Sequence, residues 1–128
     1  MNKLDKESVV GITALLVHAA KIDEIYSDHE KDLIKDFIKI YLQNDNYNKI
    51  LKEAEEIEKN SNQLLNYTNI IKEKSIDIKK DIIEHLWKVI ISDKTVDQYE
   101  SNLMRRICGL IYFSDKECGE IKLKLMND

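Results

Sequence analysis

Four carboxylates stand in a pattern that could hold a cation. The stretch KIDEIYSDHE at 21–30 carries Asp23 and Glu30, and ISDKTVDQYE at 91–100 carries Asp93 and Glu100. In both, the Glu follows the Asp by seven positions, and the two stretches lie 70 positions apart. Oxygen ligands of this kind suit Ca²⁺ or Mg²⁺ and do little for a soft metal. Four such groups held close together would repel one another unless a cation or a basic partner lay between them.

A structural explanation competes for two of the four. Ser27 and Glu30 fit the capping-box pattern, in which the Glu side chain returns to the backbone N–H of the cap. Asp97 and Glu100 do nearly the same, and an acid at a helix N-terminus is favoured by the macrodipole. Asp23 and Asp93 are less easily explained, because each is expected at a helix C-terminus, where an anion opposes the dipole.

Other chemistries find less support. His18, His29 and His85 show neither HExxH nor any other ligand spacing, and are expected at the surface or half-buried. Cys108 and Cys118 form neither CxxC nor CxxH, and are expected as reduced thiols on neighbouring helices. No glycine-rich phosphate loop, nucleophile elbow or Cys–His nucleophile context occurs. A hydrolase using paired carboxylates as acid and base would need a substrate cleft, and no signature of one accompanies them.

The elements that must position these groups are helices. The 128 residues, 43% hydrophobic and 34% charged, fit one globular domain over 1–128. With no proline and three glycines, the chain lacks the turn residues that strands require, so the fold class is all-α. Caps and apolar spacing predict about seven helices. The first spans about 6–22, capped by Asp5, with Val9, Ile12, Leu16 and Ala19 on one face. The second opens at Ser27 and carries Leu33, Ile34, Phe37, Ile38 and Tyr41. After the NDN break at 44–46, a weaker third helix spans about 47–59 with Ile50, Leu51, Ala54 and Ile57. A fourth follows NSN at 60–62 with Leu64, Leu65, Thr68 and Ile71. Ser75 caps a fifth that runs to about Ser92; its apolar residues cover more than one face, which predicts a central, heavily buried helix. The sixth starts at Asp97, and the seventh at a second capping box, Ser114 with Glu117.

The 70-residue offset extends beyond the acids. Leu16 matches Leu86, Val17 matches Trp87, and Ala19 and Ala20 match Val89 and Ile90. Downstream, Leu33 matches Leu103, Ile34 matches Met104 and Phe37 matches Ile107. Two helix–turn–helix hairpins therefore repeat, joined by the weaker third and fourth helices. Packed face to face, they make a four-helix centre with a pseudo-two-fold relation.

These stretches, ALLVHAAKIDEIYSDHEKDLI and LWKVIISDKTVDQYESNLMRRICGLIYFSD, resemble the tellurite-resistance protein B (TerB)-like family. Its pattern is a helix ending in Ala-Asp-Gly, a short turn and a Glu seven residues after the Asp, given twice. The resemblance covers nearly the whole chain. It implies a compact seven-helix bacterial domain, not an enzyme, associated with tellurite and other chemical stress. It also implies a divalent-metal site whose ligands by position are Asp23, Glu30, Asp93 and Glu100. The family glycines are replaced here by Glu24 and Lys94. Glu24 adds an anion to the first turn, whereas Lys94 puts a positive charge where a second cation would sit.

The expectation is a cytoplasmic domain with protein partners in a stress-response assembly. The alternative is an interaction or co-chaperone-like adaptor without metal, in which the acids only cap helices. The formal charge of −4 argues against a nucleic-acid partner held by phosphate contacts. The basic run KEKSIDIKK at 72–80 also contains acids and is expected as a solvated face. No stretch approaches a membrane span, and the N-terminal sequence does not read as a signal peptide.

Overall fold

A computed structural model describes residues 4–22, 26–42, 46–61, 65–92 and 98–127. These residues form seven α-helices and no strand: α1 (Lys6–Ala20), α2 (Asp28–Tyr41), α3 (Tyr47–Asn60), α4 (Leu65–Lys72), α5 (Ile76–Ile91), α6 (Gln98–Leu110) and α7 (Asp115–Met126). None of them is long and apolar enough to cross a membrane.

Short polar side chains start the helices by taking backbone N–H groups that have no partner in the first turn. Asp5 accepts from the Ser8 N–H at 2.8 Å and begins α1. Asn46 caps α3 through the N–H groups of Asn48 and Lys49, and Ser75 caps α5 through that of Ile78. Ser114 accepts from the Glu117 N–H at 3.4 Å, which is the first half of the predicted box. The Asp97 cap lies outside the described residues.

α5 is central and heavily buried, as expected, and α1 is more so. Burial covers nearly all of α1 between Ser8 and Ala20, His18 excepted, while α5 keeps a solvent-facing edge. The reason lies in SVVGITALLV at 8–17, where apolar and small residues run round the whole helix and leave no polar face. Accordingly α1 packs against α2, α3, α4 and α5. At Gly11 the neighbour comes so close that a Cβ there would lie 2.3 Å from Ile70 Cδ1 of α4.

The repeat is visible in the packing. α3 packs on α1 and α2 as α7 packs on α5 and α6, and α4 lies against α1 and α6. The matched positions Leu16 and Leu86, Val17 and Trp87, Ile34 and Met104, and Phe37 and Ile107 are all buried. The helices expected only to join two hairpins are thus part of the packing. α3 buries Ile50, Leu51 and Ala54, while Ile57 stays exposed. In α4 the buried residues are Tyr67, Thr68 and Ile71, and Leu65 faces solvent instead. Within the basic run, Lys79 is buried, so that stretch is not wholly a solvated face. His85 is also buried, against the expectation for the histidines.

α2 and α5 are tied by polar and aromatic contacts. The Tyr41 hydroxyl donates to the Asp81 carboxylate, and His85 Nδ1–H donates to the Asp81 carbonyl at 2.8 Å. Phe37 sits between Tyr41 and His85, with ring centroids 5.0 and 5.2 Å away.

α6 ends in a Schellman motif built on a residue other than glycine. The Phe113 N–H donates to the Cys108 carbonyl at 2.8 Å and the Tyr112 N–H to the Gly109 carbonyl at 3.4 Å. Tyr112 takes φ of 60°, the left-handed conformation that glycine adopts without steric cost. Its exposed ring is faced by Lys72 Nζ at 5.1 Å. Tyr112→Gly is expected to raise stability by about 0.5–1 kcal/mol, less what the loss of the Lys72 contact removes. Tyr112→Val is expected to lower it. Urea midpoints of both variants check the pair.

Candidate acidic site at the helix turns

α1 gives way to a turn after Ala20, where Lys21 N–H still reaches the Val17 carbonyl at 3.0 Å and Ile22 N–H makes only a tighter bond to Ala19 at 3.4 Å. The helix proper therefore ends two residues sooner than expected, and three before Asp23. That placement weakens the dipole argument for Asp23, since the helix field fades beyond the last turn. Asp23, Glu24, Asp93 and Lys94 themselves lie outside the described residues.

The start of α2 is a complete capping box. Glu30 Oε1 accepts from the Ser27 N–H at 2.8 Å and lies 3.1 Å from the Ser27 hydroxyl. The Glu30 N–H in turn donates to Ser27 Oγ at 3.1 Å. Glu30 is 6% exposed and Glu100, in the first turn of α6, only 3%. Both predicted glutamates are thus enclosed at matched places in the repeat.

Around the first turn the structure adds residues that the sequence pattern did not single out. The Tyr26 hydroxyl donates to Glu55 Oε2 at 2.7 Å. Lys21 Nζ lies 2.9 Å from Glu58 Oε1, and His18 Nδ1 lies 3.2 Å from Glu58 Oε2. Lys31 Nζ stands 4.9 Å over the Tyr26 ring. α3 therefore brings Glu55 and Glu58 to the same corner as Glu30. The signal available in the sequence was the spacing: Glu55 with Glu58 and His18 with Lys21, each three apart on one helix face.

The electrostatics of this corner follow from its acids. Burial pushes the Tyr26 hydroxyl up, and the Glu55 hydrogen bond with the charges of Glu55, Glu30 and Glu58 pushes it further, so the phenol stays neutral. For Glu58, burial works against ionisation, but hydrogen bonds from Lys21 and His18 outweigh it and hold the carboxyl below its ordinary value. A carboxyl lowered on folding stabilises the native state fully above its unfolded pKa. That stability is lost as pH falls through the lower, folded value. Glu58→Gln should therefore lower stability by about 1 kcal/mol at pH 7. It should also flatten the decline in urea midpoint that the native protein shows on acidification below its unfolded value of about 4.5.

A family model described as tellurite resistance protein TerB matches residues 10–123. The chain belongs to the TerB family. The TerB match begins within α1 and ends within α7, so it takes in both acidic turns and agrees with the all-helical fold. Comparisons with curated proteins and with solved structures return no match.

Within this TerB domain, no three His, Cys, Asp or Glu residues among those described converge so as to hold a metal ion. Glu58 is engaged by Lys21 and His18, Glu55 by Tyr26, and Glu30 by its own cap. A cation held in the TerB turns by Asp23, Glu30, Asp93 and Glu100 would therefore have to share Glu30 with its cap. Their carboxylate chemistry suits Ca²⁺ or Mg²⁺.

Proposed function

We propose that this TerB protein is a non-enzymatic component of tellurite-type chemical-stress resistance that binds a divalent cation weakly through Asp23, Glu30, Asp93 and Glu100. The observation that carries this reading is the enclosure of Glu30 and Glu100 at equivalent positions, each in the first turn of a helix that follows an acidic turn. Ca²⁺ or Mg²⁺ beside these carboxylates would join the end of one helix to the start of the next. By sequence, Glu24 adds an anion to the first turn, and Lys94 adds a positive charge to the second that would compete with a metal. The protein would act in the bacterial cytoplasm with protein partners of a stress-response assembly.

The completed box at Ser27 and Glu30 favours a second reading, in which the domain is an adaptor and its acids only cap helices. Calcium and magnesium titrations followed by melting separate the two. A ligand bound to the native state raises the melting temperature as its concentration passes the dissociation constant. The cation reading expects such a rise at millimolar ion, abolished by Asp23→Asn with Asp93→Asn. A rise that survives both substitutions overturns the ligand assignment. No rise with either ion gives the adaptor reading the lead.

A further inference from the structure

Away from the acidic turns, α1, α3 and α4 border a cavity of about 530 Å³. Cavities that hold small ligands run from about 300 to 1,000 Å³, with mostly apolar linings and a few polar groups. Val10, Gly11 and Tyr67 are buried and form the floor here, while Ile57 and Ile70, open in part to solvent, form the sides. The charged residues stand at the mouth, where Lys6 and Glu7 are exposed and Glu53 is half-buried.

Tyr67 is the residue that needs an explanation. It is 2% exposed, and its hydroxyl has no hydrogen-bond partner. Among the described residues no other buried side-chain nitrogen or oxygen is in that state. A buried hydroxyl left unpaired is costly, so native proteins keep few of them. The polar groups nearby are engaged elsewhere. His18, whose ring centroid lies 6.3 Å from that of Tyr67, turns its Nδ1 to Glu58. Asn66 Nδ2 donates to Ser61 Oγ at 2.8 Å.

The surroundings restrict what could complete the hydroxyl. No charged side chain stands on the floor, so a charged head group would lose its hydration there without a counter-charge. At the mouth two glutamates stand against one lysine, which disfavours an anion further. A neutral oxygen avoids both penalties and offers the phenol an acceptor.

We propose that the cavity between α1, α3 and α4 binds a neutral small molecule with an apolar body and one oxygen, which accepts a hydrogen bond from the Tyr67 hydroxyl. The body lies against Val10, Ile57 and Ile70, and the removal of this apolar surface from water drives binding. The hydroxyl selects for the oxygen, because a purely apolar molecule would leave it unpaired.

The test is titration of the isotope-labelled full-length chain at pH 7 with n-octanol, octanoate and octylammonium, which share one apolar chain and differ in head-group charge. Backbone amide shifts report both the place of binding and the affinity. The proposal expects saturable shifts with n-octanol at Gly11, Ile57 and Tyr67, and binding of either ion weaker by roughly tenfold. Tyr67→Phe should weaken n-octanol binding roughly fivefold. The free variant should melt no lower than the parent, since it sheds a hydroxyl that had no partner. Ile57→Asp, at the more exposed side of the cavity, should weaken n-octanol binding by roughly tenfold. No saturable shift with n-octanol, or shifts centred elsewhere, overturns the site. Equal or tighter binding of either ion overturns the neutral class. Unchanged affinity in Tyr67→Phe, or a lower melting temperature of that free variant, overturns the role of the hydroxyl. The outcomes for site and class are read in the unsubstituted chain and do not depend on a variant folding.

Discussion

Phe37→Ala is expected to destabilise the protein by about 3–5 kcal/mol, a large share of the roughly 5–15 kcal/mol that holds a domain of ordinary stability folded. Phe37 is fully buried, and its ring fills the space between Tyr41 on its own helix and His85 on α5. Truncation removes the transfer energy of the ring and leaves a cavity bordered by groups in polar bonds. The Tyr41–Asp81 and His85–Asp81 contacts that tie α2 to α5 limit how far the walls can close. The cost should therefore lie towards the upper end, and Phe37→Leu should recover more than half of it. Urea unfolding followed by circular dichroism measures both, and an alanine variant within 1 kcal/mol of the parent would contradict this account of the α2–α5 seam.

The second large effect belongs to α1. Leu16→Ala is expected to cost about 2–5 kcal/mol, because a fully buried leucine on a helix packed by four neighbours leaves a void that no single movement can fill. Its repeat partner Leu86 is equally enclosed and should behave alike. Ile57→Ala, on a side chain 43% exposed, should stay within about 0.5 kcal/mol and serves as the control. Similar losses at Leu16 and Ile57 would mean that α1 is not the centre of the packing.

Local chemistry was the legible part of this protein. Asp5, Ser27 and Ser75 cap helices as their types and positions predict, because a cap is a bond between residues two or three apart. The apolar matches at an offset of 70 were equally readable, and their burial follows the repeat. The place of α1 at the centre beside α5 was harder to read. α5 drew notice through its large residues, whereas the glycine and alanines of α1 allow closer approach by several helices at once. α3 looked weak because half of its residues are charged, yet its narrow apolar stripe meets both α1 and α2. The partners of Glu55 and Glu58 were out of reach for a different reason. Tyr26 lies 29 residues from Glu55, and His18 lies 40 from Glu58, so only tertiary packing brings them together.

The position of α1 in the chain has a consequence for synthesis. Its contacts with α2 and α3 become available once residue 60 has been made, but those with α5 wait for residues 76–91. At ordinary elongation rates the interval is roughly 2–6 s. During that time a helix that is apolar all round is covered on some sides and bare on the others. Bare flanks of this sort invite contact between neighbouring nascent chains or capture by a chaperone. We expect ribosome-stalled chains ending after α3 to be cut readily within α1 by protease, and chains ending well beyond α5 to resist. Equal resistance in the two would show that the first three helices already shelter it.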